Sequence, residues 1–183
     1  MLKLSKTAFV EKLKGMKMLA LDVDGVLTDD TIFVGPGEME LKQFHISDGF
    51  FMTLALRAGL IIAIVSGRKS EATEVRMKAL GVKYILQGSE DKLALFTPLL
   101  EKLTISVTDV AYMGNELLDI PIAEKVGLPI AVAGSTQRLI DVSSYVTEKV
   151  GGKGAVREVL EYYFEAINKD PLEYTPYGRQ TIR

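Results

Sequence analysis

The 183-residue chain contains no cysteine, no tryptophan and a single histidine, His45. Without cysteine there is no disulfide, no thiolate metal site and no thiol nucleophile. One histidine gives no basis for a multi-histidine metal centre and little for Ser-His-Asp chemistry. An excess of charge of one sign is missing too: 22 Lys+Arg stand against 24 Asp+Glu, a net of −2, so the electrostatics give no reason to expect nucleic acid as a partner. Long apolar runs are absent. The longest, residues 60–65, falls far short of the ~20 residues that a membrane-spanning helix needs. Lys3, Lys6, Glu11, Lys12, Lys14 and Lys17 interrupt every apolar stretch near the start, so no signal peptide and no membrane association are read, and a cytoplasmic location is expected. What is present, 48% hydrophobic and 25% charged residues, is the composition of an ordinary globular domain. An enzyme made from it would work with carboxylates, hydroxyls, lysine or arginine, and a hard metal ion.

Apolar periodicity predicts helices over residues 5–14, 47–59, 71–80, 91–103, 117–126, 136–142 and 155–168. Strands are expected over residues 16–21, 60–65, 84–86, 107–113, 128–133 and 145–147. Pro98 is expected to start or kink its helix. Two short extended runs around Gly35-Pro36-Gly37 predict a β-hairpin over about 31–45. Strands that alternate with helices of ~10 residues imply parallel βαβ units, hence an α/β, Rossmann-like doubly wound parallel sheet. Residues 1–168 read as one domain with the hairpin inserted, and 169–183 as a polar tail, mobile or laid on a neighbour.

In such a sheet ligands bind beyond the carboxyl ends of the strands. Four of those ends carry complementary chemistry. Asp22-Val23-Asp24-Gly25 places two carboxylates two residues apart, which repel unless a cation joins them; Mg²⁺ suits, because it favours oxygen ligands from one or two carboxylates plus a phosphate. Asp22 then serves as a nucleophile on phosphorus and Asp24 as acid and base. A calcium loop is excluded by Val26 and Leu27, where it needs an oxygen ligand and glycine. Ser66 with Gly67 can approach an anion or simply cap a helix. Lys92 sits at a helix start, where the dipole disfavours a cation, although a solvated lysine is the plain alternative. Asn115 and Asp119 lie four apart across a strand-to-helix turn; they can face one cavity, or be a cap and a surface acid.

Taken together and in order, these pieces resemble the haloacid dehalogenase superfamily of phosphohydrolases: Asp22 to Val26 its nucleophile loop, Ser66 its hydroxyl motif, Lys92 its lysine, and Gly114 to Asp119 its metal-binding motif. Gly25-Val26-Leu27-Thr28-Asp29, Lys42-x-Phe44, Ser47-Asp48-Gly49, Ser66-Gly67-Arg68 and Gly151-Gly152-x-Gly154 are similar to a branch without a cap domain, the 3-deoxy-D-manno-octulosonate 8-phosphate phosphatases. That resemblance implies a Mg²⁺-dependent sugar-phosphate phosphatase of lipopolysaccharide synthesis working through an aspartyl phosphate. It implies Asp22, Asp24, Ser66 and Lys92 as catalytic residues, Gly25, Gly67, Arg68 and Arg76 around the substrate, and Asp22, Asp24, Asn115 and Asp119 around the metal. It also implies a homotetramer built through the hairpin, with a neighbouring subunit covering each site. The chain departs from the pattern at Gly114-Asn115-Glu116, where Gly-Asp-Asp is usual, so weaker metal binding and a slower enzyme are expected. A tetrameric relative with faded catalysis and a phosphatase for nine-carbon ulosonate phosphates stay open as alternatives; Arg68 favours the eight-carbon substrate.

Overall fold

The computed structural model describes residues 3–37 and 39–178. The chain enters through helix α1 (Lys6–Leu13), whose N-cap Ser5 accepts a hydrogen bond from the Ala8 amide, and passes into strand β1 (Met18–Leu21). A separate antiparallel pair follows, β2 (Ile32–Val34) and β3 (Glu40–Lys42), with Phe33 opposite Leu41. Then come α2 (Ile46–Arg57), β4 (Ile61–Ser66), α3 (Glu71–Ala79), β5 (Tyr84–Gln87), α4 (Lys92–Leu103), β6 (Val110–Gly114) and α5 (Ile120–Ala123). The chain ends through β7 (Leu128–Ala133), α6 (Gln137–Val142), β8 (Tyr145–Val150) and α7 (Ala155–Ala166).

Six strands form one parallel sheet in the order β5-β4-β1-β6-β7-β8. The chain starts at the centre, winds outward to β5, returns to β6 and winds outward the other way. Its strand order therefore reverses beside β1, where a crevice opens at the carboxyl ends. Alternate residues of β1 face the two helical layers: Leu19 and Leu21 pack with Phe9, Met52, Val159 and Leu160, whereas Met18 and Ala20 pack with Phe96, Leu99 and Ile122. Burial on both sides explains why the central strands read as continuous apolar runs. The doubly wound sheet and the inserted hairpin are as expected, and no cap domain interrupts the described residues. None of the described helices is long and apolar enough to cross a membrane.

Several local expectations are corrected. The strand expected from residue 107 opens with a 3-10 turn, Val107–Asp109. The helix expected over 117–126 shrinks to a 3-10 turn, Leu117–Asp119, and the four residues of α5, because Asp119 folds back to cap the turn it belongs to. Helix α4 runs through Pro98 with no break; Pro98 and Ala94, one turn before it, are both exposed, so the carbonyl that proline cannot bond meets water. The stretch read as a tail, mobile or laid on a neighbour, begins folded on its own domain: Pro171–Tyr174 makes a 3-10 turn, Tyr174 packs on Phe164 with ring centroids 5.6 Å apart, and its carbonyl accepts from Arg57. Residues 179–183 of that stretch lie outside the described residues.

Candidate active site

The site is assembled from the ends of β1, β4 and β6 and the start of α4. Past β1 the backbone turns tightly, with the Leu27 amide on the Val23 carbonyl at 2.9 Å, while the Asp22 amide still bonds Met113 on β6 at 3.0 Å. Asp22 is thus held in the register of the sheet and Asp24 swings clear of it. Gly25 adopts φ 80°, and a Cβ there would lie 2.6 Å from the Asn115 amide carbon. Only glycine lets Asn115 come this close. A cavity of about 420 Å³ opens here, with Asp22, Asp24, Ser66, Gly67, Arg68, Lys92 and Asn115 on its wall and Asp30, Glu90 and Glu116 also facing it.

Lys92 is buried and pairs with Asp22 Oδ1 at 2.8 Å and Asp119 Oδ1 at 2.6 Å. Burial works against its charge, but the two carboxylates more than offset this and hold its pKa above the ordinary lysine value. Asp22 is pushed up to about 7, first by burial and then by Asp119, with Lys92 opposing both. A second opposing cation would return it to the range of an ordinary carboxylate.

The donors for such a cation converge on one side of Asp22. The Asn115 side-chain amide lies 3.2 Å from Asp22 Oδ2 and 2.9 Å from the Asp24 carbonyl oxygen, placed so that its nitrogen donates to both. With the amide turned the other way, its oxygen joins the Asp22 and Asp24 oxygens, and three oxygens that face one another repel unless a cation lies among them. The same three positions therefore fit a hard divalent ion, through one carboxylate, one carbonyl and one neutral amide. No cluster of three His, Asp or Glu side chains suited to a metal occurs among the described residues, in keeping with this mixed donor set.

Asp119 departs from expectation. Its place in the sequence motif puts it among the metal ligands, but it is fully buried and both its oxygens are spent: Oδ1 accepts from Lys92 and, at 2.5 Å, from the Tyr112 hydroxyl, while Oδ2 accepts from the Asn115 and Glu116 amides at 2.8 and 2.9 Å. It orients Lys92 and the Asn115 loop. Arg76 is a second correction. It lies on α3 with a guanidinium nitrogen against Gly49, beside His45 and Asp48, and lines a small void apart from the cavity. Gly25 backs the Asn115 amide and does not line the cavity wall. Ser66 ends β4, buried, with its hydroxyl on the Arg68 carbonyl at 3.1 Å.

Three residues have roles that a reading of the sequence alone does not give. Lys42 on β3 is fully buried and grips both oxygens of Asp24, at 2.6 and 2.8 Å. Glu40, two residues earlier on the same face, holds Arg68 through Nε at 2.9 Å and Nη2 at 2.5 Å, both on Oε2. Tyr112 is buried in β6, and burial followed by Asp119 raises its hydroxyl pKa well above the usual value. Alternation on the hairpin strand was the available signal for Glu40 and Lys42; Tyr112 inside an apolar strand offered none.

A family model for haloacid dehalogenase-like hydrolases matches residues 84–160. With the switch-point cavity and its buried Asp22–Lys92 pair, that match defines the class: a haloacid dehalogenase-like hydrolase. The 3-deoxy-D-manno-octulosonate 8-phosphate phosphatase of Escherichia coli K12 is 44% identical over 160 residues, covering 87% of this chain and 85% of that protein. Among solved structures, the Moraxella catarrhalis 3-deoxy-D-manno-octulosonate 8-phosphate phosphatase, in complex with a magnesium ion, a phosphate ion and the sugar acid KDO, aligns with TM-score 0.84 and 38% identity, over 87% of this chain and 92% of that one. The cobalt-bound enzyme of Haemophilus influenzae aligns with TM-score 0.82 and 30% identity, over 86% of this chain and 92% of that one. The chain belongs to the family that these phosphatases form.

Proposed function

We propose that this protein hydrolyses 3-deoxy-D-manno-octulosonate 8-phosphate to the free sugar acid and inorganic phosphate. One observation carries the reading: the Asp22 carboxylate is paired with the Lys92 ammonium on one side and on the other faces the Asn115 amide and the Asp24 carbonyl, the groups that would hold a cation, so positive charge on both sides would oppose its repulsion from an ester dianion. An Asp22 oxygen attacks phosphorus, forming the aspartyl P–O bond as the ester P–O bond breaks, and Asp24 gives its proton to the departing sugar alkoxide. Asp24 then takes a proton from water, whose oxygen attacks phosphorus and releases Asp22 and phosphate. Ser66 and Lys92 hold the phosphoryl oxygens, and Arg68 receives the sugar carboxylate. Asp22, the Asp24 carbonyl and, with its oxygen turned inward, Asn115 would hold a divalent ion, Mg²⁺ in this reading, which would neutralise phosphoryl charge. Asp24 meets Lys42 in the resting site, so that pair must open for Asp24 to act.

We also infer a homotetramer of cytoplasmic subunits, and the hairpin supports the self-association. Phe33 and Leu41, opposite each other, are 57% and 56% exposed, an apolar face that a two-stranded sheet cannot cover alone. Charged substitutions at both positions should lower the mass found by sedimentation. Phosphate release from the eight-carbon substrate, with and without Mg²⁺, tests the main reading against an Asp22→Asn control. Turnover no higher than that control at millimolar Mg²⁺ sinks it.

A further inference from the structure

Strand β3 turns two charges of opposite sign inward, and they join four groups into an alternating row. Asp24 meets Lys42 at 2.6 Å, Lys42 stands 3.8 Å from Glu40 Oε1, and Glu40 Oε2 meets Arg68 at 2.5 Å. Arg68 is the only cationic side chain other than Lys92 on the cavity wall among the described residues, yet two nitrogens of its fork are already taken by a carboxylate of its own chain. Glu40 Oε1, by contrast, is buried and not engaged by Arg68, with the Ser70 hydroxyl beside the carboxylate. It faces the Lys42 ammonium across a gap that a small rotation of the side chain closes. A Glu40 displaced from Arg68 thus has a second cation in reach, one it would share with Asp24.

We propose that Glu40 is a specificity-determining residue which occupies at Arg68 the place of the substrate's carboxylate, and exchanges with it during each turnover. The proposal rests on the hydrolysis of the ulosonate phosphate proposed for this site, in which Arg68 receives that carboxylate. A ligand with a carboxylate must win the guanidinium from Glu40, whereas a phosphate ester without one leaves the pair untouched. The resident carboxylate therefore weakens the hold on sugar acids, and on the leaving sugar acid in particular, because it can reclaim Arg68 as the product loosens. Arg68 is half exposed, so the competing pair is a modest one, and the effect should be about fivefold.

The test is binding of free 3-deoxy-D-manno-octulosonate, measured by calorimetry on the wild type and on Glu40→Gln. The variant should bind it about fivefold tighter, and its kcat/KM for the eight-carbon ulosonate phosphate, relative to that for arabinose 5-phosphate, should rise by a similar factor. In an Arg68→Gln background the Glu40→Gln change should have no effect. Binding that is unchanged or weaker in Glu40→Gln overturns the proposal, as does tighter binding that persists without Arg68. Should the variant not fold, the wild type suffices: the Arg68 Nε–H resonance should move on adding the sugar acid and stay still with a carboxylate-free sugar, and a still resonance in both refutes the exchange. Failure of the wild type to hydrolyse the ulosonate phosphate overturns the functional reading, whereas turnover with no Glu40 effect overturns the exchange alone.

Discussion

Replacing Asn115 by aspartate probes the centre of the site with almost no change of shape. The new carboxylate oxygen would stand 3.2 Å from Asp22 Oδ2, where the amide now stands. At an effective dielectric constant of ~20, two unit charges at that distance repel by about 5 kcal/mol. The metal-free protein relieves this by taking up a proton. Asp22 already has a pKa of about 7, so at pH 8 that proton costs about 1.4 kcal/mol. The amide's hydrogen bond to the Asp24 carbonyl goes as well, adding about 1 kcal/mol. The sum, roughly 2–3 kcal/mol, lowers the melting temperature by about 5–10 °C for a chain of this size. Divalent metal should reverse the order: a ligand at one hundred times its Kd restores about 2.7 kcal/mol, and the added charge lowers that Kd. Thermal unfolding at pH 8, in chelator and in a Mg²⁺ series, should show Asn115→Asp below the wild type without metal and responding at lower Mg²⁺ than the wild type. A variant that matches the wild type in chelator and follows the same Mg²⁺ curve would mean that the side chain at 115 does not face Asp22, and Asn115 would drop out of the metal-binding set.

Lys92→Met leaves Asp22 and Asp119 buried without their shared cation, so it should cost about 3–5 kcal/mol at pH 8 and abolish phosphate release; denaturant titration and turnover check both. The metal-free wild type has its own pH signature. Asp22 is raised from 3.8 to about 7 on folding, so its neutral form is favoured in the fold; that contribution is full below about pH 4 and is lost as pH rises to about 7. Chelator melts across that window should decline, and saturating Mg²⁺ should flatten the decline; a flat profile in chelator contradicts the buried Asp22. Gly151→Ala puts a Cβ into the Gly25 carbonyl and within 2.9 Å of the Thr28 carbonyl, both of them backbone, so it should push the Asp22–Asp24 loop out of place. Stability should fall by several kcal/mol, and any folded remainder should lose its response to Mg²⁺.

Much of this was legible in the residues because the signals were local. The uninterrupted apolar run of β4, the turn glycines and the spacing of Asp22, Ser66, Lys92 and Asn115 each report a strand end, and a doubly wound sheet gathers strand ends at one crevice. What was not legible depends on partners distant in sequence. Nothing near Asp119 announces that Lys92 and Tyr112 will consume one of its oxygens, so its place in the family motif suggested a ligand. Arg76 has the chemistry of a carboxylate binder, but the course of α3 carries it to Gly49. Gly151 carried no signal beyond its place in a motif, whereas the carbonyls of Gly25 and Thr28 leave no room for a side chain there. Asp30 takes φ 66°, which shows in hindsight why a glycine would suit that position.

The alternation along β3 has an evolutionary edge. Lys42 faces the Asp24 carboxylate and Glu40 the Arg68 guanidinium, and Leu41 between them faces outward. Sliding the strand by a single position would drive a leucine among the acids and strand two ions on the greasy side, so no half-shifted intermediate is tolerable. Insertions in the hairpin should therefore survive only at its tip, around Gly35 to Gly37, while the three residues of β3 change together or not at all.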